Sequence, residues 1–269
     1  MPSYIKKEIA PYIVVYKKAV DKPEEVVSFF QKTIDQDKLN YLKPWEAFGE
    51  PGTNYPKGLR NHINSFPINN FNEPINSEEE FVVKKLFKMK DDVFNDYILE
   101  HKDKDLWPEN ILNSEHIAKN LNQSFSPAIH EFAKEGEDPK NSYLLGFHLD
   151  SIFNPPEEGR QHVITMMVYL NDDYLEGEIS FLIIGDNKSI ISYKPEAGDL
   201  VLFPSFYPFY HSVNKCLGEE RYSMRTSYDL NLKNPIPKNN NTFTENMEGN
   251  LPEAYYNKEK VIYIDGKDL

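Results

Sequence analysis

Two periodicities divide the chain. Between Glu78 and His101, apolar residues recur at Phe81, Val82, Leu86, Phe87, Val93, Phe94, Tyr97 and Ile98 with charges between them. That spacing returns to one face of a 3.6-residue turn and predicts an amphipathic helix. From Tyr143 onward the apolar runs are short, rich in β-branched and aromatic residues, and broken by turn signals, which predicts strands. These runs are Tyr143–His148, Gln161–Asn171, Glu178–Phe181, Leu200–Phe203, His211–Val213 and the stretch from Arg221 to Tyr228. Asp186–Lys188 reads as a hairpin tip and Gly198–Asp199 as a tight turn.

The flanks are less regular. Tyr12–Tyr16 is a short β-rich run, after which Asp21 as N-cap and Pro23 early in the first turn open a helix reaching Ile34. Residues 45–77 are dense in Pro, Gly and Asn but carry Trp45, Phe48, Tyr55, Phe66 and Phe71, so the segment is expected to pack on the sheet rather than hang free. A second, shorter helix is expected at 114–120, continuing after Ser126-Pro127. After an irregular linker from Asn234, Val261-Ile-Tyr-Ile264 suits an edge strand or a homodimer contact.

Composition narrows the class. The chain has 269 residues, enough for one large domain with a helical extension. Its 30 basic and 43 acidic residues leave a net charge of −13, which argues against a nucleic-acid surface or an anionic membrane. The single cysteine, Cys216, excludes an internal disulfide and reads as a free buried thiol. Neither the N-terminal residues nor any later stretch has the apolar run of a signal peptide or membrane span, so a cytoplasmic protein is expected.

The candidate chemistry lies among the strands. Successive strand side chains alternate between faces, so His148 and Asp150 point the same way and can hold one ion between them. His211 can return as a third ligand if the intervening strands curl into a folded sheet. Two imidazoles and a carboxylate on one face of an octahedral ion leave three positions open, the arrangement of non-haem Fe(II) oxygenases. Downstream, Arg221, Ser223 and Arg225 share a strand face. A planar guanidinium there would grip the far carboxylate of a dicarboxylate such as 2-oxoglutarate. Either Arg221 or Arg225 could be that clamp. His101, His116 and His130 have no ligand partner at diagnostic spacing and read as structural or exposed.

From about Asn141 to Leu230 the chain resembles the prolyl 4-hydroxylase-like branch of the 2-oxoglutarate/Fe(II)-dependent dioxygenases. The likeness rests on His148-x-Asp150, Thr165-Met-Met-Val-Tyr169-Leu170-Asn171, Gly177-Glu178-Ile-Ser-Phe181, Pro195 to Pro204 with its Gly198-Asp199, His211-Ser-Val213 and Gly218-Glu-Glu-Arg221-Tyr222. Glu176 departs from the family's usual Gly-Gly-Glu and puts the turn geometry in question.

The resemblance implies a mainly β fold with α support, a double-stranded β-helix (jelly-roll, cupin-like) core packed by N-terminal helices. It places a single oxygenase domain at 1–232, with helical and irregular support at 1–140, the core at 141–232 and a C-terminal extension at 233–269. It implies Fe(II) held by His148, Asp150 and His211, and 2-oxoglutarate held at its far end by Arg221 with Tyr169, Thr165 being a weaker neighbour. O2 is then the co-substrate and ascorbate an auxiliary reductant. The implied reaction hydroxylates a C–H bond of a peptide, protein or small molecule, a prolyl or other amino-acid residue among them, and releases succinate and CO2. Two rivals stand beside it: a jelly-roll binding module without catalysis, and a zinc hydrolase on the same ligands. Two segments remain open, since 151–159 suits either a flap over the substrate or a solvated turn. The rings of Phe206, Tyr207, Phe209 and Tyr210 suit either the site's mouth or closure of the barrel end.

Overall fold

The alternating runs build two sheets packed face to face. The computed structural model describes residues 4–28, 42–44, 61–63, 77–101, 126–129, 143–150, 160–183, 189–206, 208–214, 216–219, 221–231 and 261–269. Fifteen strands lie in that set. They are β1 (Ile5–Ala10), β2 (Ile13–Lys17), β3 (Leu42–Pro44), β4 (Asn61–Ile63), β5 (Ser126–Ile129), β6 (Tyr143–His148), β7 (Arg160–Tyr169) and β8 (Leu175–Glu176). The rest are β9 (Ile179–Ile183), β10 (Ser189–Lys194), β11 (Leu200–Pro204), β12 (His211–Asn214), β13 (Cys216–Leu217), β14 (Tyr222–Asn231) and β15 (Val261–Asp265). One sheet runs β1-β2-β11-β7-β14-β5-β4-β3, the second β15-β10-β9-β12-β6, and β13 pairs β8 separately. This is a double-stranded β-helix.

Period-two alternation sorts the central strands between two cores. Val14 and Tyr16 of β2, Ile164, Met166 and Val168 of β7, Leu200 and Leu202 of β11, and Met224 of β14 join one cluster. The helix Ser77–His101 supplies Leu86, Val93, Phe94, Tyr97 and Ile98 to that cluster. The intervening residues Ile13, Val15, Met167, Tyr169, Val201 and Phe203 meet Ile179, Phe181, Ile191, Tyr193 and Val213 of the second sheet. Both faces of these strands are therefore buried, which explains why they read as near-continuous apolar runs. A one-residue slip would move each inward side chain to the helix side. The Tyr97 hydroxyl donates to the Tyr12 carbonyl at 2.8 Å, and the His101 ring stacks on Tyr97 at 4.4 Å, fixing the helix's last turn to the first hairpin. His101 is buried here and has a structural role.

Several expectations need correction or fall outside the described residues. Ser126–Ile129 is a strand between β14 and β4, not a helical continuation. A four-residue segment has little helical stability of its own, and two neighbouring strands decide its conformation. Helical residues begin at 23, as expected, and are described to 28. The remainder to Ile34, the segment at 114–120, most of 45–77, the loop 151–159, His116, His130 and the hairpin tip lie outside the described residues. The sheets also draw on both sides of 141–232: β1 and β2 extend the larger sheet, and β15 pairs in parallel with β10 as an edge strand. Strand edges take partners wherever the chain can deliver them, and sequence-local patterns do not announce such pairings.

A buried ionic cluster ties the two sheets behind the site. The Lys17 ammonium, 4% exposed, lies 2.8 Å from Asp199 Oδ2 and 2.7 Å from Glu196 Oε2. The Tyr193 hydroxyl donates to the same Asp199 oxygen at 2.5 Å. Gly198 turns with φ +88, and a Cβ there would stand 2.8 Å from the Val20 carbonyl oxygen. Its N–H donates to the Tyr169 carbonyl, while the Asp199 carbonyl accepts from the Tyr169 N–H. The predicted Gly198-Asp199 turn thus joins β2, β10, β11 and β7. Lys17→Met should leave Asp199 buried without its cation and cost about 3–5 kcal/mol. Urea unfolding checks this as a lower midpoint at unchanged slope.

Candidate active site

β6 and β12 are antiparallel neighbours whose register sets His148 directly across from His211. Asp150 follows His148 by two residues, so it returns to the same side. The imidazole centroids are 4.2 Å apart. His148 Nε2 lies 3.5 Å from Asp150 Oδ1, and His211 Nε2 lies 3.5 Å from Asp150 Oδ2. One donor atom from each residue falls within a 4.8 Å span, a set that can hold one metal ion. Phe203 and Phe181 pack beside His211, with ring centroids 4.5 and 6.3 Å away. The His148 side chain is 22% exposed against 5% for the other two, so the cluster opens on the His148 side.

The electrostatics suit a cation. Burial pulls the His211 pKa down to about 3, helped by His148 and Arg225 and opposed by Asp150. Its imidazole is therefore neutral near pH 7 and keeps a lone pair for coordination. For Asp150, burial acts upward, but Arg225, His211 and His148 outweigh it and hold the carboxyl well below the usual carboxylate range. Thr165 Oγ1 donates to Asp150 Oδ2 at 2.5 Å and sits 2.9 Å from the Ser205 hydroxyl. The structure therefore places Thr165 on the Asp150 carboxylate. Because hydrogen bonds of this kind orient a ligand, Thr165→Val should weaken metal binding by roughly 10- to 100-fold. Fe(II) titration of wild type and variant reads that loss directly.

A second group lies deeper. Arg221 is fully buried, and its Nη1 donates to the Gly177 carbonyl at 2.5 Å. Among the described residues, Arg221 Nε and Nη2 have no hydrogen-bond partner, and neither do the buried hydroxyls of Tyr169 and Tyr174. Unmet donors on a buried guanidinium are costly and mark a place for an acceptor. Burial raises the Tyr169 pKa while the charge of Arg221 lowers it, so the two act on one another. The Arg221 guanidinium also stands 5.9 Å from the Tyr174 ring centroid. A Cβ at Gly177 would meet Tyr174 at 2.9 Å and Arg221 Nη1 at 3.2 Å, so the glycine makes room for this arginine. Glu176, the departure noted above, adopts φ 56 itself, held by Lys194 Nζ on its carbonyl and by pairing with Cys216. Cys216 is buried and forms no disulfide.

The two arginines are separated by the fold. Arg225 Nη2 lies 2.9 Å from Asp150 Oδ1 with its side chain 43% exposed, whereas Arg221 is enclosed beside Tyr169. Sequence reasoning missed Ser205 and Tyr174. Ser205 continues the inward alternation of Val201 and Phe203, a usable signal. Tyr174 sits in an irregular stretch with no period to place it.

A His-Asp-His cluster on a jelly roll is a donor set that suits non-haem iron, and the buried arginine with unmet donors offers a place for an anion. Residues 139–228 match the model of the 2OG-Fe(II) oxygenase superfamily. A search of curated proteins finds no significant match. Among solved structures, the chain is similar to a prolyl hydroxylase from Trichoplax adhaerens in complex with a hypoxia inducible factor oxygen degradation domain peptide fragment. That similarity has a TM-score of 0.51 and 15% identity over 81% of this chain and 83% of that one. A putative oxygenase from Shewanella oneidensis gives a TM-score of 0.51 and 11% identity over 81% of each chain. Residues 139–228 thus carry the match to the 2-oxoglutarate/Fe(II)-dependent oxygenases, and the chain has a prolyl-hydroxylase-like fold. It is a dioxygenase whose cofactors are Fe(II) and 2-oxoglutarate, and His148, Asp150 and His211 are the residues able to form the iron site.

Proposed function

We propose that this protein hydroxylates an aliphatic C–H bond of an amino-acid unit, free or within a peptide, while 2-oxoglutarate is converted to succinate and CO2. The observation that carries this is the pairing of a three-ligand cluster with a separate buried guanidinium whose Nε and Nη2 await an acceptor. When bound, the iron and oxoacid supply the oxidation of the C–H bond, which no side chain could supply alone.

The protein's own residues do the holding. His148, Asp150 and His211 are the metal ligands in this reading. The two free donors of Arg221, with the Tyr169 hydroxyl, would hold the far carboxylate of 2-oxoglutarate. Thr165 and Ser205 keep the Asp150 carboxylate from turning. Phe181 and Phe203 exclude water from the inner side of His211. Substrate approaches where His148 is exposed. The Trichoplax enzyme of the same fold is in complex with a peptide fragment, which supports including peptides among the candidates. A cytoplasmic setting belongs to the same reading, since a sequence with a single cysteine forms no internal disulfide.

Isotopically labelled O2 tests the reaction. With Fe(II) and 2-oxoglutarate, the succinate formed should carry one oxygen atom from O2. Label entering from water instead, or a metal-dependent hydrolysis that ignores 2-oxoglutarate, would contradict the reading.

A further inference from the structure

Arg225 pairs with Asp150, but this scheme gives it no contact with cofactor or substrate. It lies on β14 opposite Met167, two residues from Ser223, which faces Tyr169, so it shares the inner face of the larger sheet. Around Asp150 the partners divide by side. Oδ2 carries Thr165 and His211, both buried. Oδ1 carries Arg225 at 2.9 Å, which is exposed, and His148 at 3.5 Å, which is half-buried. The open side of the metal cluster is therefore lined by one imidazole and one guanidinium.

A purely positioning role explains this poorly. Asp150 already has a buried hydroxyl donor, and a full cation next to a metal ion adds repulsion that a neutral donor would avoid. Among the described residues, Asp150 is the only hydrogen-bonding or ion-pair partner of the Arg225 side chain, and a guanidinium has several further N–H donors in a fixed plane. The charges make the same point, resting on the function proposed above. A divalent iron is balanced by Asp150 and the near carboxylate of 2-oxoglutarate, and Arg221 is balanced by the far one. Arg225 is left over. The chain's net charge of −13 does not cancel it locally, since screening confines exposed charges to about 8–10 Å.

We propose that Arg225 is the substrate anchor, and that the substrate presents a carboxylate at the mouth of the metal site, near the carbon to be hydroxylated. A free amino acid with its own α-carboxylate and a peptide with an acidic side chain share this chemistry.

The test uses the full-length protein loaded anaerobically with Fe(II) and 2-oxoglutarate, read by its visible charge-transfer band. The free L-amino acids are titrated against their amides in one arm. In the other, end-blocked peptides containing Asp or Glu are titrated against their Asn or Gln counterparts. In wild type a carboxylate probe should perturb the band at least about tenfold more tightly than its amide. Arg225→Gln should erase that difference, and Arg225→Lys should keep part of it. The arm that responds identifies the source of the carboxylate. The inference is overturned if no probe prefers the acid, or if the preference survives in Arg225→Gln. It is equally overturned if Arg225→Gln weakens Fe(II) binding yet, at saturating Fe(II), still separates acid from amide, which would make Arg225 a positioning residue. Absence of the band from wild type would instead sink the oxygenase reading itself, and the two failures are thus distinguishable.

Discussion

Replacing His211 by alanine should abolish iron-dependent turnover, lowering it by on the order of 10³ or more. His211 is buried, neutral near pH 7, and one of only two imidazoles in the described ligand cluster. Without it, two ligands remain, too few to hold the ion or to fix which of its positions face cofactor and substrate. A bound metal supplies several kcal/mol of charge stabilisation, and each 1.36 kcal/mol is a factor of ten in rate. Fe(II) binding and succinate formation should be lost together. Since His211 also packs on Phe203, the alanine leaves a small void. Asp150→Asn is therefore the companion variant, because it keeps the volume and removes the charge. If it folds normally and also fails to bind Fe(II), coordination and not packing explains the loss. Turnover retained in both variants would remove the cluster from the chemistry.

Arg221→Ala is expected to raise the 2-oxoglutarate requirement by on the order of 10² to 10³, with much less change in Fe(II) affinity. Truncating one partner of a buried, hydrogen-bonded charge pair costs about 2–5 kcal/mol, at 1.4 kcal/mol per tenfold. The variant also removes a side chain that is fully buried and bonded to the Gly177 carbonyl. Some loss of stability accompanies it, so the decisive readout is the split between the two ligands rather than activity alone. Arg221→Lys should recover part of the affinity, since the charge returns without the planar fork. Equal 2-oxoglutarate affinity in wild type and Arg221→Ala would mean that the buried guanidinium is structural.

What the sequence made visible follows from short-range rules. Alternation put His148 and Asp150 on one side, and Tyr169 and Thr165 on one face of β7, because a strand's period is two wherever the strand occurs. The helix expected from Glu78 is found from Ser77 to His101, where apolar spacing at three and four residues has a sheet to pack on. Alternation assigns a face, however, and not a partner. Thr165 shares the inward face with Tyr169, yet it reaches Asp150 at 2.5 Å, two residues beyond the end of β6 in the other sheet. Alternation left either Arg221 or Arg225 as the clamp, the likeness to the family favoured Arg221 with Arg225 in reserve, and burial separates the two. β5 and β15 were hidden or underdetermined for another reason. Both are short, and their conformation depends on strands far away in sequence. The positive φ of Glu176 is likewise fixed by Lys194 and β13, neither of which is local to it.

The central claim is that a metal at His148, Asp150 and His211 and a carboxylate on Arg221 belong to one cofactor-binding site. Anaerobic addition of Fe(II), then 2-oxoglutarate, to metal-free protein measures this most directly. The account predicts a visible charge-transfer band from the chelated oxoacid, absent in His211→Ala and demanding far more 2-oxoglutarate in Arg221→Ala. A wild-type protein that binds zinc tightly yet gives no band with Fe(II) and 2-oxoglutarate would contradict it.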